Sequence, residues 1–386
     1  MNFELTEEQE MLRSFARSFA DGEIAPRATV IEESGALPPE LWKALRDNNF
    51  FSLLIPETFG GSAVDYISYT LILEELARAS AAVAITVSVH NSVTAGPIQT
   101  FGSDAQRAKW LPLLAQSYLG AFALTEPGSG SDAAALTTRA VKNHEGYVLN
   151  GQKTFVTNGK HADVFLVMAR TSPEQKHRGI TSFLVEKDAP GLRVGKEIPK
   201  MGLRGSDTVE LFFEDCRVPT ENRLSEEGYG FRVAMTSLDA GRIGVAAQAI
   251  GIAQAAIEAA VRYARERVQF GKPIAEFQAV QWMIADMRTE IEGARLLMLR
   301  AAWLKDQGLP HGPESSMAKL AASAAARHCA DKAVQIHGGY GYTKEFAVER
   351  YYRDAKVTEL YEGTSEIQRI VIAHSMLHPK DGRVSV

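Results

Sequence analysis

The segment Tyr147-Val148-Leu149-Asn150-Gly151-Gln152-Lys153-Thr154-Phe155-Val156-Thr157-Asn158-Gly159 decides the fold class. From about residue 121 to residue 220 the hydrophobic pattern has a period of two, which is typical of β-strands with one buried face. This segment adds two Asn-Gly dipeptides, which are strong signals for tight β turns. We therefore predict that it forms two strands with Asn-Gly turns.

Further strands are predicted at residues 164–169, 180–186 and 209–214, and residues 121–125 are also strand-like. No helical pattern of useful length separates these strands, which argues against a β-α-β array with a parallel sheet. The middle of the chain, residues 119–226, is therefore predicted to be an antiparallel β domain, closed as a barrel or packed as a sandwich.

The preceding region, residues 1–118, is predicted to be an all-α domain. Thr6 and Gln9 have the spacing of a capping box at the start of the first helix. Residues 37–40, Leu-Pro-Pro-Glu, open a second helix, and further helices are predicted at 67–79, 81–101 and 106–114.

The third region, residues 227–386, is helical again, with longer elements. Its clearest signal is an apolar stripe whose steps alternate between four and three residues, the seam of a helical bundle. With helices at 242–267, 314–336 and 365–377, this stripe predicts a C-terminal four-helix bundle. We expect residues 379–386 to be loosely structured. The stripe consists of Val280, Ile284, Met287, Ile291, Ala294, Met298 and Ala301.

Composition restricts the function classes. The chain has 386 residues, 45% hydrophobic residues and a formal net charge of -5, without the basic clusters typical of nucleic-acid binding. Cys216 and Cys329 lie far apart, which indicates a reducing compartment and neither a disulfide framework nor a zinc site. The acidic N-terminus is unlike a signal or transit peptide, and no run of about 18 apolar residues occurs. We expect a cytoplasmic protein without a membrane span.

A lone carboxylate near the C-terminus, Glu362, precedes Gly363 and a helix start at Thr364 or Ser365. A turn at this position can direct the Glu362 side chain into a cavity. The alternative is an exposed glutamate in front of a capped helix. This stretch alone leaves both interpretations open.

Three other stretches are candidates for ligand binding. Residues 128–133 fit the pattern GxGxxA, but β-rich sequence follows, so we predict a glycine-rich loop against a flat or phosphate-bearing ligand and not a dinucleotide-binding β-α-β unit. Residues 335–342 hold three glycines at a helix end, and residues 265–274 place two arginines beside a turn. The alternatives are an ordinary turn, a helix stop and a helix C-terminus with favourable cations.

No metal site is predicted. His374 and His378 have the spacing of a metal pair, but no acidic residue accompanies them, so we interpret them as solvent-facing or interface residues. His328 and Cys329 are adjacent in a helical run, where neighbours do not face each other, and are interpreted as structural. No Walker loop or nucleophile elbow is present.

Taken together, these stretches resemble the acyl-CoA dehydrogenase family. Residues 124–132 resemble its first signature, residues 335–354 its second, and Tyr361-Glu362-Gly363-Thr364 the loop of its catalytic base. Residues 157–159, 238–242 and 267–271 match other family motifs in the same order. The resemblance covers nearly the whole chain and implies an FAD-dependent enzyme, mostly homotetrameric as a dimer of dimers.

The resemblance also implies which residues bind FAD. One set would line and cover the flavin from the β domain, a second would hold the diphosphate and adenosine across a subunit boundary, and Thr364 and Glu366 would touch the same cofactor. The first set is Phe122, Leu124, Thr125, Gly130, Ser131, Phe155, Val156 and Thr157, and the second is Arg267, Phe270, Gln278, Gln335, Gly338 and Gly339.

The implied reaction is α,β-dehydrogenation of an acyl-CoA to a trans-2-enoyl-CoA, with electrons passed to electron-transferring flavoprotein. Glu362 would remove the α-proton, and its backbone N–H with a ribityl hydroxyl of FAD would bind the thioester carbonyl. Asp239, Arg242 and Ser131 would face the CoA part of the substrate, and Gly363 the acyl group. Burial should raise the pKa of Glu362.

Some relatives place the base where this chain has Gly241, which carries no carboxylate. Within the group with its base in the Tyr-Glu-Gly-Thr loop, the chain looks most like the short-chain, butyryl-CoA type. The preferred length and branching of the acyl chain stay open. The alternatives are an acyl-CoA or nitroalkane oxidase on the same fold, and a non-catalytic flavoprotein that binds DNA or protein.

Overall fold

The computed structural model describes residues 4–378, and the predictions for residues 379–386 lie outside them. The first region is helical, as predicted, and the capping box of Thr6 and Gln9 is present. Two π-helical segments, Ala20–Ile24 and Val89–Ala95, interrupt it. Its α-helices are α1 Glu7–Phe19, α2 Ala28–Ser34, α3 Pro39–Asp47, α4 Tyr66–Ala79, α5 Ala81–Ser88, α6 Gly96–Phe101 and α7 Asp104–Gln116.

The middle region forms one sheet of eight strands in the order β6-β7-β3-β2-β4-β5-β8, with β1 paired to β4. Most strand pairs are antiparallel, as predicted, but the sheet is mixed, because β1 runs parallel to β4 and β2 meets β4 in parallel. The strands are β1 Gly120–Ala123, β2 Arg139–Lys142, β3 Gly146–Thr157, β4 Val164–Arg170, β5 Ile180–Glu186, β6 Leu192–Glu197, β7 Thr208–Pro219 and β8 Arg223–Leu224.

The two halves of this sheet face each other across a shared core. Tyr147 and Phe213 from β3 and β7 belong to the same buried cluster as Phe165 and Phe183 from β4 and β5. The interior is therefore filled by side chains, as in a sandwich.

The segment 147–159 is a single strand followed by a turn, and the prediction of two strands was wrong. Asn150-Gly151 lies at a shift in register between β3 and β7 and does not form a hairpin turn. Gly151 has φ +148°, and a Cβ atom there would lie 2.7 Å from the Cα atom of Thr138. The dipeptide thus allows a β-bulge with close backbone approach. Asn158, with φ +66°, does begin a turn.

The third region holds α8 Gly230–Glu266, α9 Gln278–Asp306, α10 Gly312–His337, α11 Val348–Thr358 and α12 Ser365–Leu377, with a two-stranded ribbon, β9 Val268–Gln269 and β10 Lys272–Pro273, between α8 and α9. The apolar stripe lies on α9, where its last five members are buried. Helix α8 begins twelve residues before the predicted start, and α2 and α11 were not predicted.

Helix α8 packs against α4 as well as α9 and α10, so the first and third regions share one hydrophobic core. Within the described residues, α8 is also the one helix that is long and apolar enough to cross a membrane. Its most apolar window is 83% buried inside the protein, as in a core helix.

Candidate active site

The candidate base, Glu362, lies in the turn between α11 and α12. Glu362 and Gly363 are both left-handed, with φ +52° and +94°, a costly conformation for a glutamate. Thr364 then caps α12 by accepting a hydrogen bond from the N–H of Ile367. The backbone thus reverses direction at Glu362 and leaves its side chain facing α8.

The Glu362 carboxylate is directed at Gly241 of α8. A Cβ atom on Gly241 would overlap Oε2 of Glu362 and would lie 2.9 Å from its Cδ atom and 2.8 Å from Cγ1 of Val93. Oε2 is buried and has no hydrogen-bond partner within residues 4–378. Such an unpaired oxygen is free to accept a proton from a ligand.

Burial raises the pKa of Glu362 to about 7, although the nearby cations Lys319 and Arg242 act in the opposite direction. The same burial lowers the pKa of Lys319 to about 8, against the attraction of Glu362. The carboxylate is therefore a stronger base than an exposed glutamate and still ionises near neutral pH.

Side chains from three helices hold the backbone of this turn. Nε of Arg242 donates to the Glu362 carbonyl at 3.3 Å, and Nζ of Lys319 donates to the Gly363 carbonyl at 2.5 Å. Nε2 of Gln368 donates to both carbonyls, at 3.3 and 2.7 Å. Three donors on two adjacent carbonyls keep the turn in its strained conformation.

Arg242 is only 4% exposed, and its Nη1 also donates to Oδ1 of Asp239 at 2.7 Å. Its guanidinium therefore supports the Glu362 turn from within. Asp239 is half-buried at the outer end of this pair. The predicted contact of these residues with CoA stays a prediction.

Beyond Glu362, a polar wall faces the next turn of α8. A Cβ atom on Gly244 would overlap Oγ of Ser88 and lie 3.5 Å from both Oη of Tyr69 and Cδ1 of Leu73. The Tyr69 hydroxyl donates to Oγ of Ser88 at 3.1 Å. Burial raises the pKa of Tyr69 above its usual value, and the charge of Glu362 adds to this effect.

On the other side of Gly241, a cavity of about 330 Å³ leads outward between the first region and α8. Ser92 and Ala240, the neighbours of Val93 and Gly241, line its inner end, while Tyr66 and Lys305 line its outer end. The cavity therefore comes close to the Glu362 turn, although Glu362 itself does not line it.

Two predicted flavin segments of the β domain lie side by side where strands β1 and β3 end, a place that we call the flavin edge. The N–H of Thr154 donates to the Thr125 carbonyl at 2.9 Å, which joins the segments 122–125 and 155–157. Strand β1 also packs on the π-helical segment that carries Val93, because a Cβ atom on Gly120 would lie 2.8 Å from Cβ of Thr94. This face therefore adjoins the Glu362 pocket.

A buried ion pair supports this edge. Lys153 is fully buried, and its Nζ donates to Oε1 of Glu126 at 2.8 Å and to the Leu124 carbonyl at 2.9 Å. Burial alone would raise the pKa of Glu126, but the Lys153 ammonium and the hydrogen bonds of Thr137 and Thr138 lower it to about 2. Burial lowers the pKa of Lys153 to about 8.

The surface of this edge fits a flat cofactor with a phosphate tail. Phe155 is 64% exposed in a left-handed conformation, with φ +56°, although a buried position would suit its ring better. Gly130 and Ser131 are exposed at a tight turn closed by Glu126 and Ser129, and a Cβ atom on Gly130 would meet nothing within 4 Å. The bare backbone can therefore approach a ligand closely.

The second predicted FAD set lies elsewhere. Arg267 and Phe270 follow the end of α8, whereas Gly338 ends α10 with φ +60°. Gly241 and Arg267 are 26 residues apart on α8, or about 39 Å at 1.5 Å per residue. This span places Arg267 far along α8 from the Glu362 turn, which faces Gly241. All members of the second set are exposed.

The structure adds site residues that the sequence did not indicate, above all Lys319, Gln368 and Tyr69. Lys319 lies in an Ala- and Ser-rich stretch of α10, and this contrast is the signal by which the sequence could indicate it. No group of three or more His, Cys, Asp or Glu side chains able to hold a metal ion occurs among the described residues.

Family models match all three regions of the chain. They are the N-terminal, middle and C-terminal domains of acyl-CoA dehydrogenase, at residues 6–117, 121–216 and 228–377. An acyl-CoA dehydrogenase of Bacillus subtilis is 50% identical over 374 residues, which cover 97% of this chain and 99% of the relative.

Solved structures resemble this chain over nearly its full length. Butyryl-CoA dehydrogenase of Megasphaera elsdenii is 45% identical with a TM-score of 0.96, covering 98% of this chain and all of that chain. A chain in a structure described as the electron transferring flavoprotein of Acidaminococcus fermentans is 46% identical, with the same TM-score and the same coverage. The FAD complex of PigA is 32% identical with a TM-score of 0.93, covering 97% of this chain and 99% of that chain.

Proposed function

The chain belongs to the acyl-CoA dehydrogenase family, whose cofactor is FAD, and from this premise we propose that it oxidises short-chain acyl-CoA to trans-2-enoyl-CoA with Glu362 as the base. The observation that carries the proposal is the unpaired, buried Oε2 of Glu362, which faces Gly241 between a cavity and the polar wall.

Removal of the α-proton needs a base whose pKa is close to the working pH. Burial provides this by raising the pKa of Glu362 to about 7. Arg242, Lys319 and Gln368 hold the turn, so the carboxylate does not have to reorganise when it accepts the proton.

The developing negative charge on the thioester oxygen needs hydrogen-bond donors. The N–H of Glu362 has no acceptor in the described part of the chain and points from a rigid turn. We infer that it donates to the thioester carbonyl. One such donor contributes about 3–4 kcal/mol to a transition state of this kind.

Bound FAD supplies the acceptor for the β-hydride, which no side chain can provide. The residues proposed to hold its flavin are the first set, Phe122 to Thr125, Gly130, Ser131 and Phe155 to Thr157, with Thr364 and Glu366 beside them. Arg267 of the second set lies about 39 Å from Gly241 along α8, far from Glu362. We therefore propose that Arg267, Phe270, Gln278, Gln335, Gly338 and Gly339 of one copy contact the FAD of another.

A short acyl chain is supported by the position of the polar wall. Gly244 is three residues, or about 4.5 Å, along α8 from Gly241. Oη of Tyr69, Oγ of Ser88 and Cδ1 of Leu73 close the space there. A chain directed along α8 from the Glu362 carboxylate therefore meets the wall after few carbons, as suits a butyryl group. The name of the Megasphaera elsdenii structure agrees with this length.

The proposed assembly is a homotetramer, a dimer of dimers, located in the cytoplasm. Large apolar side chains exposed on α9 and α12 support self-association, among them Trp282 at 64%, Ile370 at 61% and Leu377 at 74%. The proposed electron acceptor is electron-transferring flavoprotein, in agreement with the description of the Acidaminococcus fermentans structure.

Anaerobic mixing of the purified holoenzyme with straight and branched C4 to C12 acyl-CoAs tests the proposal. We expect the flavin absorbance to bleach fastest with butyryl-CoA, and the E362Q variant to bind FAD but not to be reduced. Equal reduction of wild type and E362Q would contradict the role of Glu362. Rapid oxygen consumption without another acceptor would instead favour an oxidase.

A further inference from the structure

Lys319 is a buried cation whose position is not explained by packing alone. It lies in the middle of α10 among small residues and is 0% exposed. Burying an ammonium group is costly unless a specific partner compensates. The flanking Ala318 and Ala322 are also buried, so an apolar residue would suit this helix face better.

The partner of Lys319 is the turn of the candidate base. Its Nζ donates to the Gly363 carbonyl at 2.5 Å, one residue after Glu362. Arg242 reaches the Glu362 carbonyl from α8 on another side. These two cations come from different helices and contact adjacent peptide groups, so together they fix both ends of the strained turn.

Charged groups from the neighbouring helices and from the turn itself surround Lys319. Glu359 from the end of α11, Glu366 from α12 and Glu362 itself attract the Lys319 ammonium, while Arg242 of α8 repels it. The charge of Glu362 also raises the pKa of Tyr69 on α4. The charge of Lys319 opposes the effect of burial on the pKa of Glu362, more strongly than that of Arg242 does.

We propose that Lys319 is a positioning residue for Glu362, which holds the Gly363 carbonyl and keeps the buried carboxylate ionisable. This inference rests on the proposed role of Glu362 as the base. Lys319 contacts the backbone of the turn and need not touch the substrate. It therefore acts on the reaction in two separable ways, through the hydrogen bond and through the charge.

The two effects separate with pH because the pKa of Lys319 is about 8. Near pH 6.5 the ammonium is charged and provides both the charge and the hydrogen bond. Near pH 9 it is neutral, but its N–H can still donate to the Gly363 carbonyl. Comparison of the two pH values therefore distinguishes a geometric contribution from an electrostatic one.

The test measures anaerobic flavin reduction by butyryl-CoA in a stopped-flow instrument between pH 6 and 9, with the holoenzymes of wild type, K319M, K319R and E362Q. K332M is the matched control, because Lys332 lies on the same helix but is partly exposed and pairs with Asp331. Flavin content and binding of crotonyl-CoA are measured for each variant.

For K319M we expect a rate about 10- to 100-fold lower at pH 6.5, a midpoint about one pH unit higher and a smaller rate loss at pH 9. K319R, which retains the charge, should keep the wild-type midpoint with a reduced rate. K332M should match wild type. If K319M does not fold, K319R decides, since a raised midpoint in K319R contradicts the proposal.

An unchanged rate and midpoint in K319M would overturn the proposal. So would a loss that is equal at all pH values and not relieved in K319R, because this is the result of a structural defect. The E362Q variant tests the role of Glu362 separately from the role of Lys319. If E362Q is reduced at the wild-type rate, the proposed base is wrong, whereas an inactive E362Q with a normal K319M rejects only the role of Lys319.

Discussion

The Cα atom of Gly241 faces the carboxylate of Glu362 so closely that a Cβ atom there would lie 2.9 Å from Cδ of Glu362. The two residues are 121 positions apart, on α8 and before α12. A carboxylate carried by position 241 and one carried by position 362 would therefore occupy the same space. This geometry agrees with what the family resemblance implies, that either position can carry the base on one scaffold.

The first prediction concerns this contact. In G241A the new methyl group displaces the flexible Glu362 carboxylate while the helix stays intact, so flavin reduction by butyryl-CoA should slow about 10- to 100-fold. G293A is the matched control, since Gly293 lies in α9 with nothing within 4 Å of a Cβ atom. It should keep the wild-type rate and stabilise the protein by about 0.5–1 kcal/mol. Equal rates in both variants would contradict the contact.

The second prediction is the pH dependence of the base. Glu362 accepts the α-proton only when it is ionised, and burial raises its pKa to about 7. The reduction rate of wild type should therefore increase as the pH rises through about 7 and be small at pH 5.5. Stopped-flow reduction at saturating butyryl-CoA measures this, and a rate that is constant from pH 5.5 to 8 would exclude Glu362.

The third prediction concerns the ion pair below the flavin edge. E126Q leaves the Lys153 ammonium buried without its counter-ion, which costs about 3–5 kcal/mol of unfolding free energy. FAD should also be lost more readily, because the loop 124–131 is released. Urea unfolding and flavin fluorescence measure the two effects. K43A is the control, since the exposed pair of Lys43 and Asp47 is worth less than about 1 kcal/mol.

The pH dependence of this loss has a definite sign. The pKa of Glu126 is lowered to about 2 in the folded protein. The stability it contributes is therefore present above its unfolded pKa of about 4.3 and is lost as the pH falls towards 2. The difference between wild type and E126Q should shrink over the same range, and a constant difference would contradict the pairing.

Local sequence patterns predicted most helices and strands, because the formation of these elements depends on hydrophobic periodicity and on helix caps. Helix α12 and strand β5 have the predicted bounds, 365–377 and 180–186. The prediction of a hairpin turn at Asn150-Gly151 was wrong because this dipeptide indicates only that unusual backbone angles are tolerated there. A hairpin turn and a β-bulge both need such backbone angles. The close approach of Thr138, which is distant in the local pattern, accompanies the bulge.

The candidate site was predictable only in part for the same reason. The turn around Glu362 is local and was found from its Gly-Thr sequence. Lys319, Gln368 and Tyr69 act through contacts between helices that are far apart in the chain, and no local pattern reports such contacts. Arg242 was expected to face CoA, and its burial against the Glu362 carbonyl appears only in the folded chain.

The last prediction concerns acyl chain length. Leu73 and Tyr69 project from α4 to the wall opposite Gly244, so L73A should lengthen the pocket and raise kcat/KM for hexanoyl-CoA relative to butyryl-CoA. One methylene group is worth about 1–3 kcal/mol in such a pocket, so we expect a change of about 10- to 200-fold in this ratio. G244A should do the opposite, because its methyl group meets Ser88 and shortens the pocket. L76A, at another buried position of α4, is the matched control and should lower stability without changing the ratio. A ratio that is the same in L73A, G244A and L76A would show that the chain does not extend along α8, and would remove the structural support for a short-chain substrate.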